Sequence, residues 1–277
     1  MRTVTQSLRE YARGVAGGLL FSLPLLYTME VWWAGFTSHP WRLAAYVAAT
    51  FVLLLGYNYF VGLRRDTCLS EVVIDSVEEM GLGLLVSLAI LWLLGRVSFG
   101  MPLAEVAGKT VIEAMTVAVG VSVGTAQLGG GGGEADRGVS GAGSSAAGGF
   151  GRQVVVALCG AFLFAANVAP TEEIVMIAVE LSAWRVPGLS ALSLALAALI
   201  LYYSEFAGSK KHVRFDRHHD VLVGSVVTYA VALAVSAAIL LFFGRFEGQA
   251  LATCVAQTVV LGVAATLGAS AGRLLLQ

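Results

Sequence analysis

The segment FLFAANVAPTEEIVMIAVEL, Phe162 to Leu181, is long and greasy, yet it carries Pro170, Glu172 and Glu173 in its middle. About 20 consecutive apolar residues are enough to cross a bilayer. A carboxylate at the bilayer centre costs at least roughly 2.5–3.5 kcal/mol unless it faces a cavity, finds a partner or takes a proton. Whether the segment spans a membrane is decided by the rest of the chain. Hydrophobic residues make up 57% of the 277 and charged residues only 13%. Soluble domains run nearer half apolar and about a quarter charged. A soluble core cannot hide that much apolar surface, whereas lipid can. The class is therefore an all-α polytopic membrane protein. The net charge of −1 leaves no basic footprint for nucleic acid. Cys68, Cys159 and Cys254 lie far apart with no CxxC, so they read as small apolar fillers rather than redox or metal groups.

Eight apolar runs follow, at about 14–36, 43–63, 77–95, 102–125, 153–181, 188–207, 221–243 and 249–272. The first is preceded by Arg2, Arg9 and Arg13 but is too long for a secretory signal and contains Pro24 and Glu30, so it reads as a true span. Lysine and arginine set the orientation. Arg64, Arg65, Arg137, Arg152, Lys210, Lys211, Arg214, Arg217 and Arg273 fall on the side of the N-terminus; Arg42, Arg96, Arg185 and Arg245 fall on the other. Both termini are expected to be cytoplasmic. Between the fourth and fifth spans, residues 128–152 form a glycine/serine-rich stretch, read as a flexible cytoplasmic linker that tolerates shortening.

The chain is written twice. GGLLFSLPLLYTMEV (17–31) aligns without gaps on GAFLFAANVAPTEEI (160–174), pairing Thr28 with Thr171 and Glu30 with Glu173. SLAILWLLGR (87–96) matches SAAILLFFGR (236–245) at six of ten positions, and GVSVG (120–124) matches GASAG (268–272). Matches in this order predict two parallel tandem four-helix repeats, 1–127 and 153–277, related by a pseudo-twofold axis along the membrane normal. Repeat-built transporters often place their site at the repeat interface.

Such a site would bring together Glu30, Glu173, Glu172, Thr28 and Thr171. Carboxylates, hydroxyls and main-chain carbonyls freed by Pro24 and Pro170 make an all-oxygen environment suited to hard cations or protons. The competing reading places these glutamates as solvated carboxylates at the outer interface. A second polar stripe, Glu105, Lys109 and Glu113, falls on one helical face, where the lysine can pair with either neighbour. It reads as a self-neutralising structural stripe, with a polar pathway as the alternative. Gly120, Gly124, Gly268 and Gly272 read as small-xxx-small helix packing. The G-x-S-x-G elbow of hydrolases is excluded there, because no histidine lies in any span to serve as its partner. Glu180 reads as interfacial, Asn58 and Glu205 as lining a cytoplasmic mouth, and Ser70–Met80 as an acidic stretch leading into the third span, either a short surface helix or a partner for the basic loop. The basic His-rich loop 210–220 reads as a juxtamembrane anchor, with metal or partner binding as its alternative.

With LPLLYTMEVWW (23–33) and GYNYFVGLRR (56–65), the chain resembles a family of uncharacterised bacterial multi-pass integral membrane proteins that carry a domain of unknown function. The resemblance implies the bacterial inner membrane and no activity or site. The residues themselves point to a cation transporter or channel, for protons or a hard metal ion, using the paired glutamates. The alternative is a non-transporting membrane anchor or regulatory partner. The expected partners are the lipid bilayer and a small cation, and a homo-oligomer is compatible with the sequence. No cofactor and no enzymatic activity are expected, since no nucleophile–base pair or metal-ligand set lies in the spans.

Overall fold

The computed structural model describes residues 4–61, 68–128, 146–208 and 217–275. Every regular element among them is a helix: α1 (Val4–Leu26), α2 (Met29–Thr37), α3 (Pro40–Val61), α4 (Leu69–Leu93), α5 (Leu103–Leu128), α6 (Ala146–Val168), α7 (Glu173–Glu180), α8 (Arg185–Gly208), α9 (Arg217–Phe242) and α10 (Leu251–Leu275). Seven of them are long and apolar enough to cross a membrane, and the count rises to eight if the bent pair α1 and α2 is one span. The chain divides into two compact units, Met1–Val155 and Val156–Gln277. Most of the glycine/serine-rich stretch and of the His-rich loop 210–220 lies outside the described residues.

Two expected spans are not single helices. Residues 14–36 break after Leu26, and α2 leaves α1 at 87°. Residues 153–181 end as a helix at Val168 and resume at Glu173. Both breaks have local causes. Pro24 sits in the last turn of α1, where its missing N–H weakens the ladder. The Thr28 hydroxyl then donates to the Pro24 carbonyl at 2.8 Å, covering an end group of α1. Pro170 follows the end of α6, a position where proline stops a helix. Thr171 closes that corner, its N–H and hydroxyl donating to the Val168 carbonyl at 3.1 and 2.9 Å. The acidic stretch from Ser70 is no separate surface helix but the first turns of α4.

The first unit is built around α5, against which α1, α2, α3 and α4 all pack. Over its most apolar 18 residues α5 is 83% buried, against 28% for α3 and for α4. Its polar groups therefore face protein rather than lipid. Small residues let the backbones meet: Gly17 lies on Gly124 and Gly120, Gly35 on Gly108, and Gly83 on Ala114 and Ala118. Helices in lipid gain stability by this kind of close apposition, because no hydrophobic force drives them together. In the second unit α7, α8 and α9 pack on α10, while Gly160 of α6 lies on Gly268 and Val156 on Gly272.

Candidate functional site

Glu113 sits eleventh among the 26 residues of α5, about 15 Å from its start. It is 0% exposed, among the most deeply buried side chains of the described residues. Both carboxyl oxygens lack a hydrogen-bond partner. The indole of Trp32, on α2, lies beside the carboxyl, but its N–H falls short of a hydrogen bond and is also unpartnered. From α3, the Tyr46 phenol lies within electrostatic reach of Glu113 and shares a 3.2 Å hydrogen bond with the Thr116 hydroxyl. Buried polar groups in folded proteins are nearly always paired, so an orphan carboxyl implies a partner such as a proton, water or cation.

Lys109 takes the other side of the stripe. Its ammonium pairs with Glu105 at 2.6 Å, donates to the Arg96 carbonyl at 3.3 Å and lies 5.4 Å from the centre of the Phe36 ring. The stripe is therefore not self-neutralising over its whole length: Glu105 holds the lysine and Glu113 is left out. Arg96 itself lies over the Trp32 ring at 4.7 Å.

A second polar cluster closes the other end of α5, and sequence reasoning missed its carboxylate. The Asn58 amide of α3 donates to Glu79 at 2.8 Å and to the Ser76 hydroxyl at 3.0 Å, both on α4. The Ser122 hydroxyl of α5 donates to the Asn58 carbonyl oxygen at 3.3 Å. The signal was present in the sequence. Val72, Ser76, Gly83 and Ser87 are the buried face of α4, and Glu79 falls on that stripe of small and polar residues. Five of the polar side chains along α5 therefore run Glu105, Lys109, Glu113, Thr116 and Ser122, spaced over roughly 25 Å.

The glutamates expected to pair occupy helix starts. Thr28 precedes α2 and Glu30 lies in its first turn; Glu172 precedes α7 and Glu173 opens it. Acidic side chains there are favoured by the helix dipole. Glu172 and Glu173 are exposed, as is Glu180. The Glu173 carboxyl is held below its ordinary range by its own backbone N–H and then by the Thr171 hydroxyl. Within each unit the threonine and glutamate are thus brought to one corner. The Pro170 carbonyl accepts from the Arg245 guanidinium, whereas the carbonyl that Pro170 leaves without its helical donor is that of Ala166. Among the described residues no group of three or more His, Cys, Asp or Glu side chains could hold a metal ion.

In the second unit the positions matching Lys109 and Glu113 are Gln257 and Leu261, both 0% exposed. Neither amide atom of Gln257 has a partner. Arg273 donates to the Thr228 hydroxyl at 2.7 Å and to the Gly224 carbonyl at 3.1 Å. The carboxylate column is a feature of the first unit.

No curated protein and no solved structure matches this chain. A family model described as "Putative integral membrane protein (DUF2391)" matches residues 10–276. With apolar helices throughout and nearly the whole length matched, the chain belongs to this family of integral membrane proteins.

Proposed function

We propose that this protein conducts or transports protons across a bacterial inner membrane, with Glu113 as the central proton acceptor. One observation carries the reading: a carboxyl with both oxygens unpartnered and no exposure, halfway along the interior helix of a membrane protein. A buried ionised carboxylate without a cation is very costly, so such a group takes up a proton or an ion. Glu79, tied to Asn58 and near Ser122, serves as the next acceptor toward the cytoplasm. The turn and a half between Thr116 and Ser122 is crossed through water. Glu30 and Glu173 then act as charges at helix starts near the outer surface. The test is proton flux into vesicles that contain the purified protein and carry an imposed pH gradient. Flux above that of empty vesicles is expected; flux equal to theirs would overturn the reading.

The topology proposed with it has eight spans, in two four-helix repeats that each begin and end in the cytoplasm. Several features support it. A long helix is followed by a short one, α1 by α2 and α6 by α7. Matched glycines make close helix contacts in their own units, Gly17 with Gly120 and Gly160 with Gly268. Gly95 and Gly244, also matched, both turn the chain at positive φ, 69° and 70°. Cysteines placed at Ser98 and Glu247 are expected to react with an impermeant reagent added outside intact cells, and cysteines near either terminus are not. Labelling of only one of the two loops would break the repeat topology.

A further inference from the structure

We infer that Lys109 is the resident counter-cation of Glu113: it leaves Glu105 for Glu113 when Glu113 gives up its proton, and so reserves that carboxylate for protons over sodium or calcium. The inference rests on the acceptor role proposed for Glu113. Lys109 stands four residues after Glu105 and four before Glu113 on one helix, so its ammonium reaches either carboxylate by rotation about its side chain alone. With Glu113 protonated, the pairing with Glu105 wins, since glutamate N-terminal to lysine is the better orientation. That is the arrangement seen at 2.6 Å.

Ionising Glu113 reverses the balance. Glu105 is 28% exposed at its side chain, so water can solvate it once the lysine leaves. Glu113 is 0% exposed, so its charge has no solvent and must be met from within. Glu105 and Lys109 share its helix, Trp32 lies on α2, where Glu30 is half-buried, and Tyr46 comes from α3. Arg96, between α4 and α5, is exposed and lies over the Trp32 ring. Where α1 and α4 pack on α5, Gly18 lies on Val117 and Gly83 on Ala114 and Ala118. Lys109, itself 7% exposed, is the only one of the cations named here on the same helical face. An intramolecular ammonium one turn away also repels a metal ion.

The experiment measures how fast Glu113 is modified by a hydrophobic carbodiimide, which takes the proton of a protonated carboxyl and is then attacked by its oxygen. Labelling of the Glu113 peptide is read by mass spectrometry, at one alkaline pH, on protein in lipid nanodiscs. Lys109→Gln is expected to speed labelling roughly tenfold, because the ionised form loses its counter-charge. Glu105→Gln is expected to slow it, because the lysine is released to Glu113. Lys109→Arg, which keeps the charge, stays near the wild-type rate. Added sodium or calcium chloride protects Glu113 in Lys109→Gln but not in the wild type. Rates that move in the same direction in Lys109→Gln and Glu105→Gln, or do not move, would overturn the inference, as would metal protection of the wild type. If wild-type Glu113 is not labelled at any pH while other carboxyls are, the acceptor role itself fails, and this inference falls with it.

Discussion

Substituting Glu113 with glutamine is expected to reduce proton flux through reconstituted protein to the level of empty vesicles. Glutamine keeps the shape and removes the exchangeable proton. The substitution should also leave the fold intact. The carboxyl already lacks partners, so the amide forfeits no hydrogen bond, and a stability change within about 1 kcal/mol is expected. Loss of flux with an unchanged melting temperature separates the chemical role from a structural one. Glu79→Gln is expected to slow flux without abolishing it, since Asn58 and the serines around it can still order water. Glu30→Gln and Glu173→Gln should change flux little, as both sit at helix starts, where Glu30 gives up a dipole interaction and Glu173 in addition weakens its local hydrogen bonds. Full flux in Glu113→Gln would remove the main support for transport through the first unit.

The second large effect concerns the packing that creates the site. A Cβ added at Gly17 would overlap the Gly124 backbone directly, and at Gly124 it would overlap Gly17. Neither clash can be relieved by turning a side chain. Gly17→Val should therefore force α1 away from α5 and cost at least about 3 kcal/mol, the upper end for overpacked interiors. That is a large share of the stability of an ordinary domain. Gly81 provides the contrast, since nothing lies within 4 Å of a Cβ built there. Gly81→Ala, in the interior of α4, should be neutral or stabilising by up to about 1 kcal/mol. Thermal unfolding in detergent measures both, and a Gly17→Val protein that melts with the wild type would contradict the packing described here.

Much of this architecture was legible from residue patterns. Runs of about 20 apolar residues located the long helices, because the bilayer imposes that length on them. The spacing of Gly120 and Gly124 marked a helix contact, although the partner, Gly17, is a tertiary fact. The breaks after Leu26 and Val168 were half legible. Pro24 and Pro170 marked the breaks, but the contacts that close those corners, from the threonine hydroxyls and Arg245 to the carbonyls of Pro24, Val168 and Pro170, are not written in the proline positions. Glu30 and Glu173 are also ordinary start signals for a helix, a reading that apolar surroundings obscured. Glu113 illustrates the deeper limit. Spacing alone offered Lys109 to both glutamates, and the choice of Glu105 is accompanied by neighbours such as Phe36 on α2 and the Arg96 carbonyl in the α4–α5 loop, which lie outside α5. Burial of α5 on all sides follows from four helices packing on it, which no single segment of sequence encodes.

The central claim is that Glu113 exchanges a proton within the membrane. Infrared difference spectroscopy between acid and alkaline pH, on protein in lipid bilayers, observes that event directly. The account predicts a protonated-carboxyl band in the wild type that is missing from Glu113→Gln and still present in Glu105→Gln. Identical difference spectra for the wild type and Glu113→Gln would show that Glu113 exchanges no proton and would contradict the account.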